Sequence, residues 1–297
     1  MAPYYAIYIL SLTLTQVNGL LFIKKYQLTA GTSLRSNTLF MVINGIVAVV
    51  VSAVTLVVQQ VSFKATPYSV CMATLIVSIS AVDTILRLKA YEKGQVAIVN
   101  IFAIVGSIIL SCLWGVLVLH ETLSPLRIIA IAIMLVSVFV VSYAGQTKAD
   151  KRLLGIYLAV SLATAFVSIF SKQHQVETAY QTVDTLSFSI WIGIVRTLLF
   201  AIVGLFLFIK PNQTEQPIPK SASIYAIGSS TISGIGYVLS LVANSMLPIV
   251  ITSPLSVGFG LVMSAVLPWI FYKERLTKRQ WFGTGLALTG TLLFVLV

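Results

Sequence analysis

The chain alternates long apolar runs with short polar punctuation. Ten runs stand out, at about 4–24, 37–58, 66–88, 95–119, 124–144, 153–171, 185–209, 222–243, 247–272 and 279–297. Each is near the roughly 20 residues that a helix needs to cross a bilayer core. The connecting stretches are short, and none is long enough for a soluble domain. Two runs end alike. "VLHETLSPL" (Val118–Leu126) and "IFYKERLTK" (Ile270–Lys278) place Glu121 and Glu274 153 residues apart, in a chain with only 8 acidic residues among 297. That spacing marks a repeat.

Composition makes lipid the solvent. The chain is 58% hydrophobic and 9% charged, whereas a soluble domain carries about a quarter charged residues. An all-α integral membrane protein is expected. Cys71 and Cys112 fall inside apolar runs and read as small apolar residues, giving neither a disulfide framework nor a metal site. The opening "MAPYYAIYIL" has no basic leader or cleavage site, so no signal peptide is expected. The net charge of +11 raises the question of nucleic acid. Its distribution answers it. When the loops are counted alternately, 15 of the 18 Lys and Arg other than Arg196 fall on one side, against Lys64, Arg127 and Lys172 on the other. This is a positive-inside pattern. It predicts extracytoplasmic termini and contact with membrane lipid, not nucleic acid.

The repeat extends beyond the glutamates. A shift of 153 residues pairs Ser78 and Ser80 with Thr231 and Ser233, Asn100 with Ser253, and Leu123 with Leu276. With small slips, Asn44 sits opposite Arg196. The halves 1–147 and 148–297 therefore hold five runs each. Five is odd, so the second half enters the membrane inverted. The turn after Glu121 has only Arg127 nearby, whereas the turn around Glu274 carries four basic residues, as opposite faces require. Ten transmembrane helices in two inverted five-helix repeats are a recurring plan of secondary transporters, with the substrate near the midplane.

Residues 88–141, "LKAYEKGQVAIVNIFAIVGSIILSCLWGVLVLHETLSPLRIIAIAIMLVSVFVV", and 267–294, "LPWIFYKERLTKRQWFGTGLALTGTLLF", resemble the drug/metabolite transporter superfamily, EamA-like branch. In that family a glutamate follows a long helix and small residues open the next, here Gly283, Gly285 and Gly290. Lys24 and Lys172, closing the first helix of each half, match as well, as does Arg196. The family's tryptophan before Lys24 and the mid-helix proline of span four are absent. The resemblance implies a ten-helix secondary transporter of a small-molecule substrate, working as a monomer or homodimer.

Candidate cargo contacts follow from helical spacing. Asn100, Ser107 and Trp114 share a face of span four, and Ser253 is the repeat mate of Asn100. Ser80, Asn18, Ser233 and Tyr237 occupy comparable faces. Close helix packing is the competing reading for each serine, because small hydroxyl residues let membrane helices approach. Arg196 lies near mid-membrane, where it either grips an anionic group or bonds carbonyls. Asp83 is the proton-coupling candidate, with an i,i+4 pair to Arg87 as its structural alternative. Glu121 and Glu274 read as turn anchors. His120 and His174 are placed in outer loops and fit no metal-ligand pattern. No phosphate loop or cofactor motif is present, so no enzyme is expected. The function read from these features is transport of a small polar or zwitterionic metabolite. A lipid-linked sugar flippase, a membrane-embedded transferase and a channel are the alternatives.

The charge asymmetry makes one prediction. A reporter active only outside the cytoplasm, fused after Val297, should give signal; signal from a cytoplasm-only reporter there would reverse the orientation.

Overall fold

Side-chain caps and prolines set the helix starts. The computed structural model describes residues 2–31, 33–93, 96–142, 153–209, 218–272 and 277–296. Within them lie ten helices and no strand. The first, α1, runs Ala2–Asn18, continues through a π-helical turn at Gly19–Ile23, and ends as Lys24–Ala30. The others are α2 (Leu34–Val58), α3 (Pro67–Lys93), α4 (Val96–Leu117), α5 (Pro125–Ser142), α6 (Leu154–Val176), α7 (Thr185–Ile209), α8 (Lys220–Met246), α9 (Ile249–Tyr272) and α10 (Lys278–Leu296). All ten coincide with the apolar runs. Among the described residues, α1, α2, α3, α6, α7 and α8 are long and apolar enough to cross a membrane. Shorter apolar stretches lie in α4, α5 and α9.

The caps are local chemistry. Ser33 Oγ accepts from Ser36 N at 3.2 Å, and Thr66 Oγ1 accepts from Ser69 N at 3.3 Å. Asp184 Oδ1 accepts from Leu186 N and Ser187 N at 3.1 and 3.0 Å. Thr277 and Gln280 form a capping box, with Gln280 Oε1 accepting from Thr277 N at 2.8 Å and Thr277 Oγ1 from Gln280 N at 3.3 Å. Pro67 and Pro125 take the first helical position, where the missing N–H has no cost. Gly31, at φ +73°, ends α1 in a conformation that L side chains rarely adopt.

Two compact units divide the chain, one over Ala2–Ser78 and His174–Ala243, the other over Ile79–Gln173 and Asn244–Val297. Each draws helices from both sequence halves. In the first unit, α2 and α7 pack antiparallel. Gly45 meets Gly193 and Thr197, Ser52 Oγ bonds Ser189 Oγ at 2.8 Å, and Leu56 packs on Leu186. As one number rises the other falls. The crossing is close because glycines face each other: a Cβ at Gly45 would stand 2.8 Å from the Gly193 carbonyl oxygen and the Thr197 nitrogen. Helices α1 and α8 pair likewise. Ser11 Oγ donates to the Gly236 carbonyl at 2.7 Å, Phe22 lies over Gly228, and Tyr26 packs on Ala222 and Ala226.

The second unit uses the same device. Gly290 of α10 leaves room for Met134 and Ala130 of α5, and Val138 packs on Ala287 and Leu261. Gly115 of α4 admits Ile249 and Val250 of α9. One placement differs from expectation. His174 is not in a loop; it sits in the last turn of α6, 1% exposed, stacked on Phe188 at 3.5 Å and hydrogen-bonded to Ser69 Oγ at 2.8 Å. An aromatic neighbourhood in the fold, invisible in the sequence, keeps this imidazole inside.

The α2–α7 crossing makes a prediction. Gly45→Ala presses a methyl against backbone and should destabilise the purified protein by about 1–3 kcal/mol. Gly155→Ala meets no atom within 4 Å and should be neutral. Equal thermal midpoints in detergent would contradict the close crossing.

Candidate functional site

In the first unit the polar residues converge on α8. Arg196 lies near the middle of the 25-residue α7, where a guanidinium costs about 2.5–3.5 kcal/mol on insertion scales. Its Nη1 donates to Asn44 Oδ1 across the α2–α7 crossing. Because a guanidinium only donates, this contact fixes the Asn44 amide: its oxygen faces Arg196, and its Nδ2 donates to Ser230 Oγ at 3.4 Å. Tyr237, two turns along α8 from Ser230, interacts electrostatically with Arg196. Asn18, 2% exposed, donates through Nδ2 to Ser233 Oγ at 2.7 Å. It directly precedes the π turn, in which Lys24 N bonds the Gly19 carbonyl five residues back. Such turns recur at functional sites because they break the regular ladder.

In the second unit Asp83 forms the i,i+4 pair with Arg87, Nε to Oδ2 at 2.8 Å. Thr164 of α6 joins it, accepting from Arg87 Nη2 at 2.6 Å. The Trp114 indole donates to Gln173 Oε1 at 3.3 Å, and its ring packs among Phe166, Phe170 and Leu110. Ser253, 6% exposed, donates to the Ser107 carbonyl at 3.4 Å. The Ser80 carbonyl accepts from Thr84 Oγ1 at 2.9 Å.

Glu121 has a definite structural role. Its two carboxylate oxygens accept from Ile249 N and Val250 N, each at 2.9 Å, capping the start of α9. Lys172, 4% exposed, reaches the other side of the same turn. Its Nζ donates to the Asn244 and Leu247 carbonyls at 2.7 and 2.6 Å. An anion thus meets the positive end of one helix and a cation the negative end of the helix before it. The anchored turn is the one between α8 and α9, reached from the α4–α5 loop. Glu274 lies outside the described residues, as does the side chain of Asn100.

Of the residues chosen from sequence, Asn18, Arg196, Ser233 and Tyr237 belong to one unit, and Ser80, Asp83, Asn100, Ser107, Trp114 and Ser253 to the other. Within the units the structure joins Asn18 to Ser233 and Ser107 to Ser253 by hydrogen bonds, and Arg196 interacts electrostatically with Tyr237. Spacing alone did not select Asn44 or Thr164. Asn44 did carry a signal, as the residue opposite Arg196 in the internal repeat. Thr164 carried none, because a single threonine in an apolar run is ordinary.

The comparisons agree with this architecture. Residues 153–296 match the model of the EamA-like transporter family. A solved structure, titled only as the crystal structure of a protein, is 14% identical and superposes with a TM-score of 0.80, covering 100% of this chain and 97% of that one. That likeness shows the fold. No curated protein matches the chain.

Removing the α9 cap should be measurable. Glu121→Ala deletes two charge-assisted hydrogen bonds, each worth about 1.5–3 kcal/mol. Hydrogen exchange at the Ile249 and Val250 amides should speed up by at least about tenfold, with less change at α2. Unchanged exchange there would show that the cap contributes nothing.

Proposed function

We propose that this chain, whose residues 153–296 match the model of the EamA-like transporter family, is a multi-pass membrane transporter whose cargo is a small polar or zwitterionic metabolite moved by alternating access. The observation that carries the reading is the polar network of Asn18, Asn44, Arg196, Ser230, Ser233 and Tyr237 within membrane-length helices. Polar side chains are expensive in hydrocarbon and gather where they face protein or a watered cavity. Amides, hydroxyls and a guanidinium together match a small ligand rich in hydrogen-bonding groups. A lipid acyl chain would find little there to bond.

The proposed energy source rests on the second unit. Asp83 is the one acid well within a span, and Arg87 and Thr164 orient its carboxylate. Protonating it would neutralise one partner of the pair and release the other, the kind of local charge change that biases a two-state element. Proton-linked exchange is therefore the proposed coupling.

Proteoliposome assays test both parts. Uptake of labelled amino acids and amines should fall in Asn18→Ala and Tyr237→Phe with expression unchanged; scrambling of labelled lipid with no metabolite uptake would favour a flippase instead. Asp83→Asn should abolish the response to an imposed pH gradient while sparing substrate exchange. A full response in that variant would remove Asp83 from the coupling.

A further inference from the structure

Among the described residues, Arg196 has no anionic partner. A guanidinium has five N–H donors, yet among the described residues its one hydrogen bond is from Nη1 to the neutral Asn44 oxygen. Among the described residues no carboxylate pairs with it. Tyr237, which interacts with it electrostatically, is also neutral. A cation kept within a membrane-length helix, with only neutral described groups beside it, favours an anionic ligand. Asn44 holds the guanidinium from one side, and its Nδ2 in turn reaches Ser230 Oγ at 3.4 Å. The remaining donors stay in a planar fork, the geometry that takes both oxygens of a carboxylate.

Resting on the transporter reading and naming its substrate class, we propose that the cargo carries a single carboxylate and docks it on Arg196. Charge selects the class. One guanidinium balances a monoanion and leaves a doubly charged phosphate half neutralised, with the excess stranded in a low-dielectric site. The neutral remainder of the network, Tyr237 with the Asn18–Ser233 pair, suits the polar or cationic part of the same molecule. Asn44 is a positioning residue: it acts by aiming Arg196.

Binding to the purified full-length protein in detergent tests this without assuming transport. The probes are propionate against propionamide, glycine against glycinamide, and inorganic phosphate, read as shifts in thermal midpoint with concentration. The acids should stabilise the wild-type protein, with the amides at least about tenfold weaker. Arg196→Gln should lose the response to acids, and Arg196→Lys should keep a weaker one. Asn44→Asp supplies an internal carboxylate to the guanidinium, so it should fold at least as stably as the wild type and lose the response. Amides as effective as acids, no response to either acid, or phosphate stabilising most would each overturn the proposal. So would an unaltered acid response in Arg196→Gln or Asn44→Asp. If Arg196→Gln does not fold, the wild-type probe pairs and Asn44→Asp still decide. Flux of a neutral polar cargo through Arg196→Gln proteoliposomes would keep the transporter reading and sink this one; carboxylate binding without any flux would do the reverse.

Discussion

A polar group left unpaired in hydrocarbon costs several kcal/mol, and this chain is organised by that constraint. Backbone groups meet it by forming helices. Helix ends meet it with caps, from the Ser33 and Asp184 side chains to the Thr277–Gln280 box. Where local side chains run out, distant ones are brought in. The start of α9 follows Pro248 and Leu247, which offer no capping oxygen, so Glu121 comes from another loop to take its first amides. Lys172 does the same for the closing carbonyls of α8. Among the described residues, Glu121, Glu177 and Asp184 stand where backbone needs a strong acceptor, and Asp83 where a cation needs a partner.

Glycine provides the second element of the design. Between lipid-solvated helices there is no hydrophobic driving force, so association depends on close packing and hydrogen bonds. The Gly45–Gly193 contact brings α2 and α7 close enough for Ser52 to reach Ser189 and for Arg196 to reach Asn44. Packing therefore comes before chemistry in the causal order. The guanidinium is placed by a crossing that glycines permit. The antiparallel pairs α2–α7, α4–α9 and α5–α10 each join equivalent runs of the two sequence halves, as an inverted repeat folded on itself would do.

The two units divide the chemistry. One holds the neutral amides and hydroxyls around Arg196, the other an acid–base pair, Asp83 with Arg87, tied to Thr164. A charge paired within its own helix neighbourhood is suited to proton exchange. A charge without a described counter-ion is suited to ligand recognition. The proposed coupling and the proposed binding thus rest on different residues.

The sequence by itself determined the class and the number of helices, and it pointed to the repeat. These follow from patterns that each segment carries alone: membrane-length apolar runs and the shared glutamate turn 153 residues apart. It also marked Arg196 and Asp83, because a charge within an apolar run stands out without any partner in view. What only the tertiary structure decided were pairings between segments. Sequence spacing placed Asn18 and Ser233 on helix faces without saying that they bond, and it put His174 in a loop when stacking on Phe188 keeps it buried. The π turn after Asn18 left no mark beyond a glycine, and Thr164 none at all. Glu121 read as an anchor for its own turn and proved to cap α9. A helix face shows which residues are available, but the partner across the crossing is chosen by how closely two backbones approach. That distance is set by glycines on both helices at once.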